Sequence, residues 1–151
     1  LMVETGQFAT LWKKMAEKLG LKPEFIAGDW RSGADPAQIE AAARIGARVC
    51  EIHTGPYAHA FHDQGRDTEA PAVLAELSKI RQAGGLIRDL GMRFNAGHAL
   101  NYYNVQPVAR LAGIRELHIG HAIVSRAVFV GLCEAVREMK ALMREAAQDG
   151  E

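Results

Sequence analysis

Four side chains able to move a proton or steady a charge stand at the ends of short apolar runs. Glu51 and His53 close the run Val49-Cys50-Glu51-Ile52-His53, His98 follows Phe94-Asn95-Ala96-Gly97, and His121 follows Glu116-Leu117-His118-Ile119-Gly120. A neutral imidazole near pH 7 both gives and accepts protons. A carboxylate beside it steers the ring or holds a developing cation. One histidine at a strand end is ordinarily a surface or structural residue. Three at equivalent positions, one of them with Glu51 at hand, point to a shared site. His59 and His62 fall in a polar stretch and read as solvated, and His118 reads as lying outside the site.

Two further chemistries fit the same residues. Gly120-His121-Ala122 precedes a helical pattern, and a glycine-bearing turn at a helix N-terminus offers free N–H groups and a positive dipole end to an anion. Ser125 and Arg126 stand close enough in sequence to assist. Three histidines and a glutamate are also a donor set for zinc or iron. The compact His-x-His and His-Glu-x-x-His spacings are missing, so a metal site is not the main expectation and a metal-dependent enzyme stands as the alternative.

The elements that must carry these groups alternate. Phe8, Leu11, Trp12, Met15 and Leu19 share one helical face, predicting a helix over 5–20. Residues 23–27 could form a short strand, followed by an irregular loop from Gly28 to Gly33. Asp35-Pro36 is a helix start, with Asp35 as N-cap and Pro36 in the first turn. A strand over 49–55, a loop or frayed helix over 59–68, a helix over 72–90 and a strand over 92–98 follow. The spacing then predicts a helix over 104–111, a strand over 116–121 and one long helix over 125–147. Strands alternating with helices imply an α/β fold with a parallel sheet and right-handed crossovers. Ligands of such folds bind beyond the carboxyl ends of the strands. Two architectures remain: a small open doubly wound sheet, or half of a (β/α)8 barrel.

Composition narrows the setting. The 151 residues are 48% apolar and 24% charged, with Lys+Arg and Asp+Glu at 18 each. That predicts a single domain over 1–151 without a nucleic-acid or membrane surface drawn by bulk charge. Cys50 and Cys133 read as buried reduced thiols. The pattern lacks a signal peptide and a membrane-length apolar run, which makes the cytoplasm the default location. The opening Leu1-Met2 hints that the natural N-terminus is missing.

Three motifs, in order, resemble the pyridoxine 5'-phosphate synthase family of vitamin B6 biosynthesis. They are Glu51-Ile52-His53-Thr54-Gly55, Asn95-Ala96-Gly97-His98, and Ile119-Gly120-His121-Ala122-Ile123-Val124-Ser125-Arg126-Ala127, and the helix Asp35-Pro36-Ala37-Gln38-Ile39-Glu40 is similar as well. The resemblance covers about residue 35 to the C-terminus. It implies a (β/α)8 barrel, an octamer in the family, of which only the C-terminal four units are present. The implied reaction condenses 1-deoxy-D-xylulose 5-phosphate with 3-amino-2-oxopropyl phosphate to pyridoxine 5'-phosphate, phosphate and water, without metal or cofactor. It implies that His98 is a proton donor, that Glu51 supports charged intermediates, and that Ala99, Gly120 and His121 contact the aminoketone phosphate. Position 99 is normally glycine in the family, and the loop over 28–34 looks longer than the family's turn. The first four barrel units, which carry another catalytic His and Glu and most deoxyxylulose phosphate contacts, have no counterpart. The fragment alone is therefore expected to be inactive. The alternative is a non-catalytic half-barrel that pairs with another chain.

Overall fold

A computed structural model describes residues 26–29 and 34–148, and the helix expected over 5–20 lies outside them. The elements are β1 (Ile26–Asp29), α1 (Pro36–Arg44), β2 (Val49–His53), α2 (Gly55–Asp63), α3 (Pro71–Asp89), β3 (Arg93–Gly97), α4 (Val105–Ala109), β4 (Ile114–His118), α5 (His121–Val130) and α6 (Leu132–Gln148). The four strands form one parallel sheet in the order β1-β2-β3-β4. The order never reverses, so among the described residues there is no switch point of the doubly wound kind. Right-handed crossovers that always step the same way put their helices on one face of the sheet.

The sequence explains which face. Side chains alternate along a strand, so Cys50 and Ile52 of β2 and Phe94 and Ala96 of β3 point one way. They join Ile39 of α1, Phe61 of α2, and Val73, Leu77, Ile80 and Ile87 of α3 in one buried cluster. The α3 residues recur at helical spacing, which lays one stripe on the sheet. Burying each such side chain is worth ~1.5–3 kcal/mol. Val49, Glu51 and His53 face the other way, and register sets Asn95 opposite Glu51 and Gly97 opposite His53.

β4 would lose this phase were it regular. A register shift between Phe94 and Asn95 pairs Phe94 with Ile114 but Asn95 with Glu116, leaving Arg115 as an extra residue. Ile114 and Leu117 thereby both pack on the core, while Glu116 and His118 share the polar face with Asn95 and Gly97.

Several expectations hold and several need correction. Asp35 caps α1 through a 2.9 Å bond from the Ala37 amide, with Pro36 in the first turn. The strand near 23–27 is found at Ile26–Asp29, so Gly28 and Asp29 belong to it rather than to a loop. Of the loop or frayed helix expected over 59–68, the part to Asp63 is regular helix, because Tyr57, Ala58 and Phe61 supply a buried stripe to α2. β4 ends at His118, so His121 is the first residue of a helix and not a strand end. The long last helix is two helices, broken at Gly131, whose φ of 82 lies in the left-handed region that continues no helix. Cys50 is buried but Cys133 is exposed, where two buried thiols were expected. No helix among the described residues is long and apolar enough to cross a membrane.

Candidate active site

The carboxyl ends of β2, β3 and β4 open on a cleft of about 910 Å³. Its lining includes Glu51, His98, Ala99, Gly120 and His121, the five residues that the family resemblance implied, and does not include His53, which the strand-end pattern had added to them. His118 lines it too, against expectation. Alternation along one strand does not relate His118 to His121, since the strand has ended between them. His118 points to the polar face on its own account, beside Gly97.

Glu51 is the centre of the arrangement. It sits in the middle of β2 and is 4% exposed. A buried carboxylate needs partners, and two imidazoles supply them. Nδ1 of His118 lies 2.7 Å from Oε2, and Nδ1 of His98 lies 3.6 Å from Oε1. The approach depends on Gly97, where a Cβ would come within 2.4 Å of Oε1 and 3.1 Å of the His118 carbonyl. Behind His118, Nε2 is 3.4 Å from Asn95 Nδ2 and 3.5 Å from Glu116 Oε2, and Asn95 Nδ2 donates to the same Glu116 oxygen at 3.1 Å. Asn95 is buried, and its Oδ1 has no hydrogen-bond partner.

His98 is held by its backbone. It and Ala99 have φ of 77 and 56, two successive left-handed residues of which neither is glycine. Such a turn persists only where its surroundings fix it. The buried Thr54 hydroxyl lies 2.6 Å from the Gly97 carbonyl and 2.5 Å from that of His98, one donor shared by two acceptors. The Thr54 amide donates to the same Gly97 carbonyl at 2.7 Å. Asn104 Nδ2 donates to the Ala99 carbonyl at 3.2 Å, and the Asn104 carbonyl accepts from the buried Tyr57 hydroxyl at 2.9 Å. The exposed His98 ring stacks near His53, centroids 4.4 Å apart and planes at 37°. The His53 Nδ1 accepts from the Gly55 amide at 3.2 Å.

The third wall of the cleft is the start of α5. Gly120 is its N-cap and His121 its first residue, so backbone N–H groups and the positive end of the helix face the lining. Arg126 is turned elsewhere: its Nε and one terminal nitrogen each lie 2.8 Å from a carboxylate oxygen of Glu138 on α6. His59 and His62 are exposed on α2, as expected. No cluster of three or more His, Cys, Asp or Glu suited to a metal occurs among the described residues. Sequence inspection missed Thr54, Tyr57, Asn104 and His118. Thr54 stood inside a quoted motif, and His118 stood on the same strand face as Glu116.

A carboxylate with an imidazole at each oxygen, next to a helix N-terminus, can pass a proton to a bound molecule and hold an anionic group nearby. Comparison with known proteins gives this chemistry a lineage. The family described as "Pyridoxal phosphate biosynthesis protein PdxJ" matches residues 31–145. A pyridoxine 5'-phosphate synthase of Dechloromonas aromatica (strain RCB) is 86% identical over 118 residues, 78% of this chain and 47% of that protein. One of Azoarcus sp. (strain BH72) is 82% identical over 114 residues, 76% and 46% respectively. One of Gloeothece citriformis (strain PCC 7424) is 50% identical over 119 residues, 79% and 47%. The chain spans about half the length of the curated relatives it matches.

Proposed function

The chain belongs to the PdxJ family of pyridoxal phosphate biosynthesis proteins, and from that premise we propose that it is the C-terminal half of a (β/α)8 barrel with pyridoxine 5'-phosphate synthase activity. The complete enzyme condenses 1-deoxy-D-xylulose 5-phosphate with 3-amino-2-oxopropyl phosphate, releasing phosphate and water. It uses no metal or organic cofactor. The observation that carries this reading is the meeting of Glu51, His98 and the Gly120-His121 turn in one cleft.

In this reading His98 gives a proton to a leaving oxygen, and the buried Glu51 carboxylate offsets the positive charge of imine-like intermediates. The α5 N-terminus takes the phosphate of the aminoketone, with His121 at its mouth, and Ala99 flanks the same substrate. The polar face of the sheet supports the barrel reading, because in a closed barrel that face is the interior. The chain then holds one half of the site, and the isolated chain turns over little or no substrate. Assembly into an octamer and a cytoplasmic setting belong to the same proposal. The apolar side chains that α5 leaves exposed, among them Val128 and Phe129, favour cover by the other half of the barrel. A half-barrel that pairs with a separate chain is the second reading they allow.

The test is the condensation assay on the complete enzyme and its His98→Ala variant. Loss of a general acid lowers kcat by roughly 10²–10⁴-fold. A near-normal kcat for His98→Ala would remove the proton-donor role, and robust turnover by the purified 151-residue chain would remove the half-site reading.

A further inference from the structure

We propose that His118 is a positioning residue for Glu51, and that the two side chains work as one unit in which His118 occupies one carboxylate oxygen and leaves the other to the cleft. The proposal rests on the active-site reading above and adds to it a residue outside the family motifs quoted for the chain.

The geometry divides the carboxylate. Oε2 receives His118 Nδ1 at 2.7 Å, while Oε1 points towards His98 at 3.6 Å. An ionised carboxylate only accepts, so the short contact requires a proton on His118 Nδ1. On the far side of the ring Nε2 faces a donor, Asn95 Nδ2 at 3.4 Å, and an acceptor, Glu116 Oε2 at 3.5 Å, so the requirement comes from the short Nδ1 contact alone. The network thus assigns a proton to His118 Nδ1. Glu51 is buried, Oε1 lies in the space that a Cβ at Gly97 would fill, and the contact from His118 sets the other oxygen. Without His118 the carboxylate is free to turn onto His98 and to bond the proton donor in the resting state. With it, Oε1 is held where a developing cation would stand.

The arrangement has the logic of an outer partner that orients an inner group, a role whose removal is felt in rate more than in binding. Its consequence is that His118→Leu lowers kcat about 10- to 100-fold, the loss expected when a charge-assisted hydrogen bond is deleted. KM stays within about 3-fold, as for an interaction made mainly in the transition state. Asparagine places an amide donor where Nδ1–H stood, so His118→Asn recovers most of the lost rate.

Two measurements test the proposal. Long-range ¹H–¹⁵N NMR of the 151-residue chain reads the His118 tautomer, with His118→Asn identifying the signal. The expected result is Nδ1 protonated in the parent and a shift towards Nε2–H in Glu51→Met. A parent ring protonated at Nε2 alone overturns the proposal. Steady-state kinetics of the complete enzyme then compare Leu and Asn at 118. A Leu variant as fast as the parent, or an Asn variant no faster than Leu, overturns it as well. Absence of condensation by the complete parent enzyme would refute the functional reading instead, while the tautomer result would stand by itself.

Discussion

Ala99→Gly is expected to stabilise the chain, although the same exchange weakens most ordered positions. Ala99 has φ 56 and follows His98 at φ 77. For an L-residue the left-handed region costs about 1–2 kcal/mol, and for glycine it costs nothing comparable. Against this, glycine's greater freedom in the unfolded chain costs roughly 0.4–1 kcal/mol. The exposed methyl contributes little burial, and the Ala99 carbonyl that accepts from Asn104 is kept. The balance is a gain of about 0.5–1 kcal/mol. In a chain of this size that raises Tm by about 1–4 °C. Ala75, exposed within α3, is the control, and Ala75→Gly is expected to lose ~1 kcal/mol. Urea unfolding of both variants and the parent, at unchanged m, gives the two signs side by side. Only the backbone angle distinguishes the sites, so a loss at 99 as large as that at 75 would refute the account of the turn.

Three other perturbations probe the same architecture. Thr54→Val takes the shared donor from the Gly97 and His98 carbonyls and is expected to cost about 1–3 kcal/mol in urea unfolding; Thr54→Ser, which keeps the hydroxyl, should lose less, and equal losses would deny the hydrogen bonds their role. Gly97→Ala drives a methyl into Glu51 Oε1 and the His118 backbone, and is expected to destabilise by about 1–3 kcal/mol; an unchanged midpoint would show that the carboxylate moves aside freely. Burial, reinforced by the Glu51 charge, pushes the Cys50 thiol from 9.0 up to about 12. The unfolded chain therefore ionises first, and stability falls as pH rises from 9 towards 12, by up to about 1.4 kcal/mol per unit. Unfolding midpoints at pH 8 and 10.5 for the parent and Cys50→Ala check this, since the parent should lose more stability than the variant, which keeps only the smaller loss from Tyr57, a phenol that burial also pushes up.

Local chemistry was easier to see in the sequence than distant packing. Asp35-Pro36 announced α1 because a cap and a fixed φ act within one turn. The polar face of β2 was visible because Glu51 and His53 break an apolar run at alternate positions. α2 was legible only as a loop or frayed helix because the stretch from His59 is polar, and what holds the helix is the contact of Tyr57 and Phe61 with the core. The break at Gly131 was hidden by apolar residues on both sides, which continue one stripe only if the helix is assumed unbroken. His118 read as outside the site because the strand was expected to run on to 121, whereas it ends at His118 and alternation stops there. The left-handed pair at His98 and Ala99 could not be foreseen, because the donors that hold it come from residues 54 and 104.

The extra residue in β4 separates the length of that strand from the orientation of its side chains. Arg115 pairs with no residue of β3, yet the residues on either side of it keep to their proper faces. A sequence shorter by that one residue would pair Phe94, Asn95, Ala96 and Gly97 with the same four partners in an unbroken ladder. The position is thus a neutral place for length change within a strand that borders the cleft, while deletion of Leu117 would set Glu116 opposite Ala96 and send a carboxylate into the core. Alignments of this region should tolerate a gap at 115 or 116, where the ladder closes with Leu117 and His118 in place, and not at 117.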